Sequence, residues 1–443
     1  MTSEGPVIDA EPRPIDTKGS STPTDPSWDR RTTVAITVLL LVMVVNYMDR
    51  AVLAVLLEPI GRDLNLSDSA LGLLAGLPFA ILYALAGVPF ARVADIGNRK
   101  ILIALSVALW SIATAVCGLA TGLLSLFLMR IMVGIGEGAG TPAIHSVMTD
   151  QVRLSKRSFA AGLLVFAGIL GGALGYVLGG TLAGRFGWRT AFASVGAPGL
   201  LVALLILNFV PESRPAPRWP RWDEIAGVKA RSVALRLIRL RSFRLLVAAF
   251  TLSYGVQNGI TQWLAVYLAR EFGRSIGEIG ATLGVVLLLP TAAGSMLGGI
   301  LGGVLSRRLG TGWLLLIAAW CCLAMFLAYL AFVMAGQWVA ALTALGVSSL
   351  LAGIYLGPVF AAIYALGRSS DRATVVALVA LFTNVIGLGL APLLVGTMSD
   401  QLAVWLGVES LKYAMGTLTT LLLPASALFF LAARRLVDDS SNE

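Results

Sequence analysis

Residues 34–60 read VAITVLLLVMVVNYMDRAVLAVLLEPI. A helix crossing the hydrocarbon core of a bilayer takes about 20 apolar residues at about 1.5 Å of rise each, and this run is long enough to do so. Asp49 and Arg50 stand inside it, where ionisable groups are costly and normally face a bundle interior, pair, and mark a pathway. Comparable runs recur to Leu431. The 443 residues are 57% hydrophobic and 13% charged, with a mean hydropathy of +0.84. A globular chain carries about 25% charged residues, so this one cannot present a solvated surface all round. Lipid is its main solvent.

Twelve apolar segments can be drawn, at 32–58, 69–92, 101–121, 123–148, 158–181, 188–210, 244–269, 277–305, 312–334, 337–365, 373–398 and 410–433. The expected fold is an all-α membrane protein of twelve transmembrane helices in two six-helix halves. A polar tail rich in Pro, Ser, Thr and Asp covers 1–31, without the basic start and early apolar core of a signal peptide. The N-terminal bundle is 32–210, and a linker reading PESRPAPRWPRW and then RSVALRLIRLRS occupies 211–243. The C-terminal bundle is 244–435 and a short tail 436–443. The halves look duplicated: at a constant offset Leu71-Gly72 matches Leu283-Gly284, Pro78 matches Pro290 and Gly87 matches Gly299.

The net charge of +9 does not form a basic stripe interleaved with aromatics, so nucleic acid is not an expected partner. Its meaning is topological. Of the 33 Lys and Arg, twenty-five fall in the tails and the loops on their side, against six in the opposite loops. By the positive-inside rule both termini are cytoplasmic. Cys117, Cys321 and Cys322 lie in apolar runs with no metal-ligand spacing and read as packing residues. No nucleophile or metal constellation points to an enzyme. Short linkers and the absence of large glycosylatable loops favour a bacterial inner membrane, and a monomer is expected.

On antiparallel first and fourth helices, Asp49, Arg130 and Glu137 lie about 15, 10 and 21 Å from the outer ends, so the three can share one depth. Burial favours a neutral carboxyl and a nearby guanidinium favours the ionised one, so a movable Arg130 would make Asp49 a proton switch. The competing reading is a permanent Asp49–Arg130 pair locking two helices. Arg50, about 100° round from Asp49, points either into the cavity or out to lipid head groups. Glu137, in Gly134-Ile-Gly136-Glu137-Gly138-Ala-Gly140, has no cation of its own and is protonated for part of a cycle, or else is a neutral Glu bonded to a neighbouring helix. His145 is a packing residue or a relay.

The turn Arg92-Val-Ala-Asp95-Ile-Gly-Asn98-Arg99-Lys100, with Arg307 at the repeat-related position, reads as a conformational latch made of Asp95, Arg99, Lys100 and Arg307, or simply as a solvated turn. Glycines at 168, 171, 172, 175, 179 and 180 give the fifth helix a face for close approach. No charge occupies a helix centre of the C-terminal half. Tyr254, Asn258, Gln262, Trp263 and Asn384 are its candidate substrate contacts, beside Asn46 and Tyr47 in the first helix; belt or core packing is the alternative for the aromatics.

Asn46-Tyr47-Met48-Asp49-Arg50, Asp95-Ile-Gly-Asn98-Arg99-Lys100, Arg130-Ile-Met-Val-Gly134-Ile-Gly136-Glu137 and Pro211-Glu212-Ser213-Arg214 together resemble the spinster family of the major facilitator superfamily. Ala91, Ile96 and Asn98 depart from the superfamily's usual loop pattern, and the Asn-Tyr-x-Asp-Arg element is also similar to its anion:cation symporters. The resemblance implies the major facilitator fold and proton-coupled export of an amphipathic lipid, sphingosine-phosphate-like or a lysophospholipid. It implies Asp49 and Glu137 as protonatable groups, Arg130 as the switching partner, Arg50 as a head-group contact, and no cofactor beyond protons. A symporter importing a hydrophilic organic anion and a multidrug efflux antiporter are the alternatives.

Overall fold

A computed structural model describes residues 30–152, 156–212, 237–365 and 372–440. Most of the linker and of the N-terminal tail, and the last three residues, lie outside the described residues. Every apolar segment drawn from the sequence is helical. The first four spans are Arg30–Leu64, Asp68–Ala75 continued by Leu77–Ile96, Arg99–Cys117 and Leu123–Gln151. The fifth and sixth share Arg157–Phe209, divided at Gly187, whose φ of 83° breaks helical geometry where only glycine is at ease. Spans seven to ten are Arg241–Phe272, Ile276–Leu309, Gly312–Met334 and Trp338–Ala365.

The eleventh span runs through Arg372–Phe382, a π-helical stretch Thr383–Leu390, and Ala391–Leu406. Pro392 offers no N–H to the preceding turn, and the helix widens just before it. Ser410–Thr419 and Leu422–Ser440 form the twelfth. This is the expected all-α, twelve-helix architecture in two six-helix halves.

The end of the bundle carrying residues 30, 97–98, 210–212 and 435 is called the terminal end here, and the end carrying 64–68, 187, 273–275 and 407–409 the distal end. The halves meet through spans two with eleven, five with eight, and one with seven. The duplication is visible in that pattern. A Cβ on Gly72 of the second span would stand 2.9 Å from Leu393 Cα of the eleventh, and one on the repeat-related Gly284 of the eighth 2.9 Å from Ala173 O of the fifth. Both glycines serve the same crossing in their own half. Among the described residues, all hydrogen bonds joining the halves lie toward the distal end: Tyr176 Oη donates to Thr261 O at 3.0 Å, Gln262 Nε2 to Ala75 O at 3.1 Å, and the rest involve Glu58, Asp68, Arg270, Ser399 and Asp400. The bundle is closed at that end.

The fifth-span glycines do what their spacing suggests, but against a neighbour the sequence did not name. Cβ atoms on Gly168, Gly175 and Gly179 would stand 2.9 Å or less from Tyr47, Met48 and Val52, so this face receives the first span.

Candidate functional site

The first span delivers Asp49 and Arg50 to different neighbours, as adjacent residues on a helix must. Asp49 is fully buried and its Oδ2 accepts from Thr114 Oγ1 of the third span at 2.9 Å. Arg50 turns toward the fourth span, where its Nε donates to Glu137 Oε2 at 2.7 Å. The Glu137 side chain is 0% exposed and that of Arg50 21%. The sequence reading left Glu137 without a cation. The structure gives it Arg50.

Three aromatic rings box that guanidinium. Its Cζ lies 5.2 Å from the Tyr47 ring centre and 4.8 Å from those of Phe79 and Tyr83. Cation–π contact of this kind holds an arginine in place while leaving its N–H fork free for an anion. Glu137 is brought here by its glycines. Cβ atoms on Gly134 and Gly138 would stand 2.7 Å from Phe79 O and 2.5 Å from Tyr83 O of the second span. One on Gly136 would stand 3.1 Å from Trp110 N of the third. The fourth span is thus wedged backbone to backbone between spans two and three.

Arg130 is buried and stands 5.0 Å from the Phe79 ring centre, with no carboxylate within ion-pair distance among the described residues. It pairs with neither Asp49 nor Glu137 in this conformation. Among the described residues, Asp49 Oδ1, Glu137 Oε1, Arg130 Nε and Asn46 Nδ2 are buried with no hydrogen-bond partner. Each such atom costs about 1–3 kcal/mol, which buried polar groups ordinarily avoid. Two acids and two guanidiniums at one depth, with spare bonding capacity, form a cluster able to exchange partners.

The C-terminal half places its candidates unequally. Tyr254 is partly buried beside Phe250, 5.6 Å between ring centres, and Asn258 Nδ2 bonds Tyr254 O of its own helix at 2.9 Å. Asn384 is partly buried in the π-helical stretch. Gln262 instead ties the halves through Ala75, and Trp263 is 0% exposed with its indole N–H on Pro392 O at 3.0 Å. These two are joints between helices in this conformation, not surfaces open to a solute. His145 is exposed.

Among the described residues, Asp95 and Arg307 of the proposed latch pair within their own helices. Asp95 faces Arg92 one turn back at 3.8 Å, both exposed, and Arg307 Nε donates to Gly303 O within its helix at 2.8 Å. Arg99, fully buried, clamps the terminal end of the N-terminal half: Nη1 reaches Asp150 at 2.5 Å and Ser146 at 3.0 Å, and Nη2 reaches Glu212 at 2.9 Å. The Arg99 and Lys100 amides donate to the same Glu212 carboxylate at 2.6 and 3.4 Å. That binds spans three and four to the start of the linker.

Among known families, the model of the Major Facilitator Superfamily matches residues 39–392. The chain belongs to this superfamily. It is 34% identical over 417 residues to an MFS-type efflux pump of Mycolicibacterium smegmatis, covering 94% of this chain and 95% of that protein. A probable sulfoacetate transporter of Cupriavidus necator is 33% identical over 177 residues, 40% of this chain and 41% of its own length. Among solved structures, a bacterial homolog of the human lysosomal transporter Spinster, inward-facing and unoccupied, aligns with a TM-score of 0.80 at 28% identity over 93% of this chain and 99% of that one. The spinster resemblance read from the N-terminal motifs therefore extends over the whole fold, and the protein is a multi-pass integral membrane transporter of the major facilitator type.

In this facilitator the joint at the distal end was missed from sequence. Arg270 grips Asp68 with both Nη atoms at 2.9 Å and Glu58 through Nε at 2.9 Å. Asp400 accepts from the amides of Asp68 and Ser69 at 3.0 and 2.8 Å, capping the second span from the opposite half. In the sequence these are ordinary charges at helix ends. The one available signal was a single acid, Asp68, in the first turn of the second span and a single basic residue, Arg270, in the last turn of the seventh.

Proposed function

We propose that this protein is a proton-coupled exporter of an amphipathic anion, a lysophospholipid or a sphingosine-phosphate-like lipid, working as a monomer by alternating access. The observation that carries this reading is the Arg50–Glu137 pair at 2.7 Å, one residue from buried Asp49. A guanidinium that can hold either an internal carboxylate or a solute's phosphate makes proton and substrate linked ligands. Once the solute has left on the outer side, proton binding at Asp49 and Glu137 releases Arg130 and permits the return of the empty carrier, and loss of those protons inside readies the site for the next headgroup, so proton and solute cross in opposite directions. Arg130, stacked on Phe79 beside them, is the second cation available to either acid.

The partly exposed rings around Arg50, with Tyr254 opposite, suit a charged head that carries an apolar chain. Efflux is also the activity named for the relative that matches nearly the full length. With the termini cytoplasmic, as the charge asymmetry suggests, distal closure corresponds to an inward-facing carrier in a bacterial inner membrane. Import of a hydrophilic anion is the second reading, favoured by the similarity to a probable sulfoacetate transporter over 40% of the chain.

Thermal stabilisation of the purified protein separates the two. Lysophospholipids and sphingoid phosphates should raise the unfolding midpoint, with a dependence on pH that Arg50→Ala abolishes. Stabilisation by hexuronates or sulfonates alone would replace the lipid reading with the symporter.

A further inference from the structure

At the terminal end, where the seventh span begins and the twelfth ends, the surface holds a hollow of about 510 Å³ lined by Arg241, Leu245, Leu431, Arg434 and Arg435. A second hollow of about 310 Å³, lined by Arg241, Arg244 and Leu245, adjoins it. Four arginines thus converge from two packed helices, and none of Arg241, Arg244 or Arg434 has a carboxylate within ion-pair distance among the described residues. The wall between them is apolar. On the twelfth span Leu423, Ala427 and Leu431 are exposed at four-residue intervals, a stripe about 12 Å long running from the arginines toward the middle of the bundle.

Cations with no internal counterion gain most from an external anion, and a guanidinium fork matches phosphate oxygens better than any other side chain. Arg241 and Arg244 also stand in the first turn of a 32-residue helix, whose free amides add positive potential. A free inorganic anion would use the arginines alone. A phospholipid would use the arginines and the leucine stripe, and basic pockets between helices at a membrane surface are where anionic head groups bind.

We infer that this hollow is a binding site for the phosphodiester headgroup of an anionic membrane phospholipid, with one acyl chain lying along Leu431, Ala427 and Leu423. The site lies at the terminal end of spans seven and twelve, in the other half from the buried cluster at Glu137, and does not depend on what the protein carries. Arg241 and Arg434 hold the phosphodiester, and Leu245 and Leu431 flank the glycerol end of the chains.

The test is to delipidate the full chain in neutral detergent and titrate it with dioleoylphosphatidylglycerol, dioleoylphosphatidylcholine or inorganic phosphate, following the unfolding midpoint. Phosphatidylglycerol should raise the midpoint by several degrees and phosphatidylcholine should not. In Arg241→Gln/Arg434→Gln the concentration giving half the effect should rise about 25-fold, about five-fold per arginine, while Arg307→Gln/Arg308→Gln leaves it unchanged. A shift reproduced by inorganic phosphate assigns the hollow to a free anion and overturns the proposal. So does equal response in the double variant. Should the double variant not fold, photolabelling of the unaltered protein with a diazirine phosphatidylglycerol decides: adducts within 241–248 and 423–435 support the site, and adducts only elsewhere refute it.

Discussion

Arg50 donates to Glu137 at 2.7 Å from the first span to the fourth, and it does so from inside a ring of Tyr47, Phe79 and Tyr83. The two residues differ in what their loss exposes. Arg50→Ala leaves a buried carboxylate with no cation bonded to it, whereas Glu137→Gln leaves an arginine that still has an acceptor and its rings. Breaking a buried pair from one side costs about 3 kcal/mol or more. Arg50→Ala should therefore lower the unfolding midpoint at neutral pH, and less so as the pH falls, because protonating Glu137 removes the stranded charge. Glu137→Gln should be milder and nearly indifferent to pH. Equal, pH-independent losses in the two variants would show that the pair contributes shape and not charge.

Asp49→Asn keeps an acceptor for Thr114 Oγ1, so folding should survive with a midpoint within a few degrees. What disappears is the site that can gain and lose a proton at the centre of the cluster. In proteoliposomes, transport driven by a pH gradient should fall at least about ten-fold, while counterflow of solute down its own gradient persists. Undiminished pH-driven transport in this variant removes Asp49 from the coupling.

The fourth-span glycines give a prediction about packing. A methyl on Gly138 would meet Tyr83 O at 2.5 Å, backbone against backbone, whereas one on Gly172 meets nothing within 4 Å. Gly138→Ala should destabilise by about 1–3 kcal/mol and weaken the Arg50 box, since Tyr83 must move. Gly172→Ala should be neutral or stabilising by up to about 1 kcal/mol. Comparable unfolding midpoints for the two would sink the wedge description.

The contrast between Glu137 and Asp68 shows what sequence could and could not reveal. Hydropathy counts residues against bilayer thickness, so the twelve spans were legible, as was the importance of any acid inside one. Depth along each helix followed from the rise per residue, which is why Asp49, Arg130 and Glu137 were expected together. Rotation about the helix axis did not follow, because it depends on tilt and on which neighbours pack closest. Arg50 therefore could not be assigned to Glu137, nor Trp263 to Pro392. The π-helical stretch before Pro392 has the same hydropathy as an α-helix, leaving Gly387, Gly389 and the proline as its only trace. Asp68, Arg270 and Asp400 lie at helix ends, where charge is commonplace, and only the meeting of two halves makes them partners.

That meeting is the basis of the last prediction. Arg270 is bonded bidentately to Asp68, which also accepts from Ser399 Oγ at 2.6 Å, and Asp400 caps the amides of the same helix start. All of these bonds run between halves and all must break before the distal end can open. Each charged hydrogen bond contributes about 1.5–3 kcal/mol, less where water reaches it, and the Arg270 side chain is 31% exposed. Arg270→Gln should therefore shift the balance between distal-closed and distal-open carriers about ten-fold toward the open form, and Arg270→Gln with Asp400→Asn further still. Spin labels at Asn65→Cys and Arg274→Cys, with the buried native cysteines replaced, report the separation directly. The variants should gain a population at longer distance, and high salt should produce part of the same shift in the parent. Identical distance distributions in all three proteins would mean that the glycine contacts between spans two and eleven, and five and eight, hold the distal end shut without help from charge.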